Sequence, residues 1–209
     1  TNGRVQFELT SLPELSLGGG FGMAYTTQDD PQPPDELAAE MAAIVGTDCQ
    51  TLGVSVPRVG VEPGRAIAGP STLTLYEVGT VKPVELDAGS TRTYVAVDGG
   101  MSDNIRTALY GADYSCSLAS RRSDAPPVLA WVVGKHCESG DIVVKDEFLP
   151  ADVRPGDLLA VPGTGAYARS MASTYNHVPR PPVVAVRDGQ ARVIVRRETE
   201  DDLLRLAVD

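Results

Sequence analysis

Apolar and polar positions change their period along the chain. Val5–Leu17 carries Leu9, Leu12, Leu15 and Leu17, and Glu14-Leu15-Ser16-Leu17 alternates as a short strand. Leu37, Met41, Ile44 and Val45 recur at helical spacing, which predicts a helix over 35–45 with Gly46 at its stop. Residues 54–61 read as a second strand. Strand, helix and strand in that order form a βαβ-type unit, parallel and covered by helices. After Gly69-Pro70 the period shortens to that of strands. Runs at 73–78, 81–86, 91–97, 127–133, 142–144, 158–161, 182–186 and 191–195 are separated by turns such as Asp98-Gly99-Gly100. A short helix over 165–175 is the exception. The pattern predicts two parts: an α/β part over 1–70 and a mainly antiparallel β domain over 71–209. No internal repeat is present.

Polar breaks between these elements hold the candidate chemistry. Gly18-Gly19-Gly20-Phe21-Gly22 follows the first strand, where residues without a Cβ let backbone N–H groups approach a phosphate. A flexible strand-to-helix connection explains the same glycines equally well. Glu62-Pro63-Gly64-Arg65 follows the second strand, so both clusters should emerge on one rim of a parallel sheet. Glu62 and Arg65 form either a structural ion pair or a site in which the arginine holds a carboxylate.

Lys135-His136-Cys137-Glu138-Ser139-Gly140-Asp141 places a thiol and a carboxylate in a turn between two apolar runs. A loop on a rigid sheet is where reactive side chains are displayed, although a lone cysteine is usually a small buried hydrophobe. Arg106 lies four residues before Tyr110-Gly111, and Tyr167 follows Gly163-Thr164-Gly165-Ala166. Singly, an arginine on a turn is solvated and a tyrosine fills a core edge. Tyrosine, arginine, glutamate and cysteine together on a glycine-rich scaffold describe a polar pocket for a zwitterion.

Composition narrows the classes. The 209 residues carry a net charge of −10, which argues against nucleic acid and against an anionic membrane surface. No apolar run approaches the roughly 20 residues that span a bilayer. Cys49, Cys116 and Cys137 are odd in number and widely spaced, which suggests neither a disulfide framework nor a metal site and fits a reducing cytoplasm. His136 and His177 read as packing residues. The chain opens on Thr1-Asn2-Gly3-Arg4 without Met, which raises the expectation of a fragment.

Five motifs in order carry a family resemblance: Leu17-Gly18-Gly19-Gly20-Phe21-Gly22, Glu62-Pro63-Gly64-Arg65, Val97-Asp98-Gly99-Gly100-Met101-Ser102-Asp103-Asn104, Cys137-Glu138-Ser139-Gly140-Asp141 and Gly163-Thr164-Gly165-Ala166-Tyr167. The series resembles the C-terminal half of the diaminopimelate decarboxylases and covers almost the whole chain. The resemblance implies a partial α/β barrel over 1–70, the last βα units of a TIM-type barrel that binds pyridoxal 5′-phosphate, joined to a β domain over 71–209. It implies decarboxylation of meso-2,6-diaminopimelate to L-lysine. The Cys137-Glu138 form favours that substrate over ornithine or arginine, whose decarboxylases typically carry Cys-Asp there.

Carried over by position, Gly20 should lie against the cofactor phosphate, with Glu62, Pro63, Gly64 and Arg65 lining the same site. Glu62 should point away from the phosphate and orient Arg65 or a backbone group. Arg65 should also bind a substrate carboxylate. Arg106 and Tyr110 should hold the distal carboxylate end, Glu138 should read the distal amino group, and Tyr167 should touch cofactor and substrate. Cys137 should be the acid. It and Glu138 should reach the partner's barrel across an obligatory homodimer. A thiol is mostly protonated at neutral pH and suits that task.

The family's cofactor lysine has no match, since Lys82, Lys135 and Lys145 fall in the β part. About two strands of an eight-stranded barrel are present. These 209 residues alone are therefore expected to lack decarboxylase activity. A decarboxylase of another basic amino acid and a non-catalytic module of the same fold are the alternatives.

Overall fold

The computed structural model describes residues 13–208; Leu9 and Leu12 of the first apolar segment lie outside them. Strand β1 (Glu14–Ser16) pairs in parallel with β2 (Arg58–Gly60), and helix α1 (Pro34–Leu52) connects them. The sequence pattern predicts a strand over 54–61, but the pairing covers three residues, Glu14 with Arg58 through Ser16 with Gly60.

Helix α1 starts at a Pro33-Pro34 pair, with Asp35 and Glu36 in its first turn facing the positive end of the dipole. It does not stop at Gly46. An interior glycine costs only about 1 kcal/mol relative to alanine, and the helix continues because Val45 and Cys49 are buried on one face. The stop comes at Gly53, whose left-handed backbone (φ +67°) lets its N–H reach the carbonyls of Cys49 and Gln50. Helix α2 (Gly64–Ala68) follows β2 directly.

The rest is dominated by one six-stranded sheet. It contains β3 (Leu73–Glu85), β4 (Thr91–Val97), β5 (Ser117–Leu118), β6 (Pro127–Val133), β7 (Ile142–Pro150) and β8 (Leu158–Pro162), in the order β5-β8-β3-β4-β6-β7. A short helix, α3 (Arg106–Tyr110), lies between β4 and β5. The sheet curls into a nearly closed barrel, in which the Cys116 N–H beside β5 donates to the Glu147 carboxylate of β7 at 2.9 Å. All pairs are antiparallel except β4 with β6.

The expected strands at 73–78 and 81–86 are one strand. Its first half pairs with β8 and its second with β4, and a register shift between Val78 and Thr80 turns the corner. Alternating residues fill the interior: Val95 and Val97, Ala130 and Val132, Leu159 and Val161 are all buried. Each such valine or leucine contributes about 1.5–3 kcal/mol by leaving water.

The C-terminal part holds α4 (Ala168–Met171), a hairpin of β9 (Val183–Arg187) and β10 (Gln190–Val195), and α5 (Glu200–Leu204). Thr199 and Asp202 close α5 with a reciprocal capping box. The predicted helix over 165–175 shrinks to α4 because Tyr167 stands in the left-handed region (φ +71°), which no helix accommodates. Among the described residues no helix is long and apolar enough to cross a membrane.

Candidate active site

Three separate segments meet around Met23 and Tyr25. Met23 is buried, and a Cβ on Gly69, just past α2, would lie 2.0 Å from its sulfur. A Cβ on Gly163 would lie 3.1 Å from both Met23 and Tyr25. Gly165 packs on the end of α2 so closely that a Cβ there would sit 1.9 Å from the Ala68 carbonyl oxygen, and its N–H donates to Gly69 at 3.1 Å. The glycine-rich segment, the Glu62–Arg65 turn and the Gly163–Tyr167 turn therefore form one seam. Only residues without side chains allow that approach.

Within the seam, the Glu62 N–H donates to the Gly18 carbonyl at 2.7 Å, and a Cβ on Gly19 would lie 2.5 Å from the Glu62 carbonyl oxygen. Arg65 donates from Nε to Phe21 and from an Nη to Gly20, both at 3.2 Å. Backbone carbonyls hold the Arg65 guanidinium, and the Glu62 carboxylate, expected to orient Arg65 or a backbone group, accepts from the Ser16 side-chain hydroxyl at 3.4 Å. Among the described residues Glu62 and Arg65 form no ion pair.

Arg106 stands at the start of α3 and is only 8% exposed. It donates to the Tyr114 hydroxyl at 2.7 Å. Its guanidinium carbon lies 4.8 Å from the Tyr25 ring centre, 5.8 Å from that of Tyr114 and 5.6 Å from that of Tyr167. Three electron-rich rings thus hold a cation that would otherwise be costly to bury. Ser115 ties this cage to the seam by donating to the Tyr25 carbonyl at 3.1 Å. Tyr110 is at the far end of α3 and 64% exposed.

Cys137 and Glu138 project from the turn between β6 and β7, and both are exposed. Asp141, 3% exposed, builds the base of this turn. Its carboxylate accepts from Met101 N–H at 2.6 Å and from His136 N–H at 2.8 Å. Lys135 N–H donates to Gly99 at 3.0 Å, so the 98–104 and 134–141 segments lock together. His136 is buried, with Nε2 2.9 Å from the Ser102 hydroxyl. The Tyr175 hydroxyl donates to Glu138; that bond foremost, with burial adding, raises the tyrosine above its ordinary value. Among the described residues no hydrogen bond joins this turn to the Arg65 or Arg106 clusters. Cys116 sits in the sheet interior, where burial pushes its thiol up, and Cys49 is on the buried face of α1. No cluster of metal-ligating side chains occurs among the described residues.

Residues 6–69 match a family model described as the pyridoxal binding domain of pyridoxal-dependent decarboxylases. Residues 67–165 match the C-terminal sheet domain of the same enzymes. The chain belongs to the pyridoxal-dependent decarboxylases. It is 61% identical over 197 residues to the diaminopimelate decarboxylase of Mycobacterium bovis, covering 94% of this chain and 44% of that protein. The diaminopimelate decarboxylase of Corynebacterium efficiens is 52% identical over 206 residues, covering 98% of this chain and 45% of that protein. The chain thus spans under half the length of these relatives. The crystal structure of the Helicobacter pylori diaminopimelate decarboxylase complexed with L-lysine superposes with a TM-score of 0.77 at 33% identity, over 93% of this chain and 44% of that one.

The decarboxylase cofactor is compatible with the seam. Gly20 has a left-handed backbone (φ +88°) and nothing lies within 4 Å of where its Cβ would be, so this turn presents bare backbone. Arg65 supplies positive charge beside it, and the Glu62 carboxylate is engaged by Ser16. That donor set suits a phosphate dianion.

Four participants are given no role by the sequence reading, although Asp141 stands within one of its motifs. Tyr25, Asp141 and Tyr175 act through partners distant in the chain, Tyr175 lying 37 residues from Glu138, whereas Tyr114 is eight residues from Arg106. Tyr114, Cys116 and Leu118 alternate like inward-facing positions, which is the one signal that points to Tyr114.

Proposed function

We propose that this chain forms the C-terminal part of an enzyme that decarboxylates meso-2,6-diaminopimelate, giving L-lysine and CO2 in lysine biosynthesis. The observation that carries this reading is the meeting of three glycine-dependent turns around Met23 and Tyr25. It sets the Arg65 seam beside the buried Arg106 cage. Residues 1–70 are read as the last βα units of a cofactor-binding barrel and residues 71–209 as the β domain.

Gly20 and the Glu62–Arg65 turn would hold the phosphate of pyridoxal 5′-phosphate. The bound cofactor supplies the electron sink for loss of CO2. The remaining tasks fall to this chain's side chains. Arg65 binds one substrate carboxylate. Arg106 binds the distal one, its charge preserved by the three tyrosine rings, with Tyr110 at the same end. Tyr167, stacked on Arg106, contacts cofactor and substrate. Glu138 pairs with the distal ammonium, and the Cys137 thiol delivers a proton to the carbon that has lost CO2. Cys137 and Glu138 stand apart from the seam, which supports a homodimer in which each turn completes the partner's site. A cytoplasmic location fits a free exposed thiol at Cys137.

The test is a side-by-side assay of the holoenzyme with meso-diaminopimelate, L-ornithine and L-arginine. Release of CO2 from the first alone is expected. Cys137→Ala should lower kcat about 100-fold or more while cofactor affinity holds, because it removes a proton donor and no anchor. Comparable kcat/KM for ornithine or arginine would reassign the substrate.

A further inference from the structure

We infer that Tyr175 is the positioning residue for Glu138, and that its hydroxyl sets the preference for substrates with a distal amino group. The inference rests on the diaminopimelate reading above.

Glu138 is at the exposed tip of a turn, where a glutamate side chain ordinarily samples several rotamers. Here the Tyr175 hydroxyl holds one carboxylate oxygen, Oε1, and leaves the other to accept from an ammonium. Fixing the acceptor before the substrate arrives removes an ordering cost from binding.

Tyr175 is itself anchored. Its ring lies 5.2 Å from the His136 ring at 54°. His136 is buried and bonded to the Ser102 hydroxyl. Ser173 N–H donates to the Ser102 carbonyl at 2.8 Å, which ties the segment entering Tyr175 to the same loop. The chain then turns sharply: Asn176 (φ +53°) and His177 (φ +56°) are both left-handed, and His177 N–H closes on Thr174 at 2.8 Å. Two consecutive non-glycine residues in that region are strained and persist only where surroundings hold them. The turn aims the phenol at Glu138. The same loop carries Met101, whose N–H donates to Asp141 at the base of the Cys137 turn, so tyrosine and glutamate share one rigid support.

The test compares the wild-type holoenzyme with Tyr175→Phe, Glu138→Gln and the double variant. The substrates are meso-diaminopimelate and 2-aminopimelate, which lacks the distal amino group. Phenylalanine keeps the ring against His136 and removes only the hydroxyl. Tyr175→Phe should lower kcat/KM for diaminopimelate about tenfold, mostly through KM, as expected for one hydrogen bond to a charged group. It should leave 2-aminopimelate turnover and cofactor affinity unchanged. The dissociation constant of L-lysine, read by calorimetry, should rise in parallel. In the Glu138→Gln background the effect of Tyr175→Phe should largely vanish.

Equal loss on both substrates, or full additivity with Glu138→Gln, overturns the inference and makes Tyr175 a structural strap. Wild-type turnover separates the two levels. Its absence on diaminopimelate defeats the functional reading and this inference together. Its presence with an indiscriminate Tyr175→Phe loss defeats this inference alone.

Discussion

The carboxylate of Asp141 occupies the space that a side chain on Gly134 would need: a Cβ there would lie 2.2 Å from an Asp141 oxygen. The two residues bracket the Cys137 turn, and Gly134 N–H donates to the Asp141 carbonyl at 2.8 Å. Gly100 meets the same carboxylate from the other side, at 2.5 Å for an added Cβ. Asp141 is thus a plug between two loops, and its negative charge is satisfied by backbone N–H groups.

Gly134→Ala should therefore destabilise the protein by about 1–3 kcal/mol, the usual cost of forcing an extra methyl into a packed site. It should also lower turnover, because the plug supports Cys137. Asp141→Ala should destabilise by leaving the Met101 and His136 N–H groups without their acceptor. The double variant should lose less than the sum of the singles, since the clash is gone. Thermal unfolding of the four proteins checks this, and strict additivity would contradict the plug.

Arg106→Lys should raise KM for diaminopimelate about 10- to 100-fold and leave cofactor affinity unchanged. A lysine has neither the planar fork that meets Tyr114 nor a flat face to stack among Tyr25, Tyr114 and Tyr167. Steady-state kinetics alongside cofactor titration decides the point. An equal loss in cofactor binding would place Arg106 with the phosphate instead.

Asp157 gives a pH prediction. It accepts from Arg121 at 2.9 Å, from the Ser120 hydroxyl at 3.1 Å and from Arg154 N–H at 3.1 Å. The Arg121 guanidinium foremost, then the N–H and hydroxyl donors, hold its carboxyl at about 2, below the ordinary value of 3.8. A depressed carboxyl stabilises the fold fully above the unfolded value and loses that contribution as the pH falls through the folded one. The melting temperature of the wild type should exceed that of Asp157→Asn above pH 4, and the gap should close as pH falls toward 2. Parallel curves across that window would show that the pair does not stabilise the fold.

Much of the architecture was legible from local pattern. Strands at 91–97 and 127–133 appear with the bounds that alternation indicates, because each buries one side in the sheet interior. Helix α1 begins at Pro34, one residue before the start that the helical spacing of Leu37, Met41, Ile44 and Val45 indicates. Its end was misplaced because Gly46 looks like a stop, and only burial of Val45 and Cys49 shows why the helix continues. Gly79 likewise reads as a turn, yet β3 runs through it because β8 and β4 pair with its two halves.

By itself the sequence determined the order of elements, the glycine turns, and the chemistry available at Arg65, Arg106, Cys137, Glu138 and Tyr167. Those are local properties, set by period, backbone freedom and side-chain type. Which groups hold those side chains was decided only in three dimensions. Arg106 gains Tyr25 and Tyr114, Glu138 gains Tyr175, and the Cys137 turn gains its base from Asp141 reaching Met101, 40 residues away. Periodicity reports which face of an element is buried and carries no record of the partner that faces it. Such pairings arise when the sheet curls and brings distant loops to one rim.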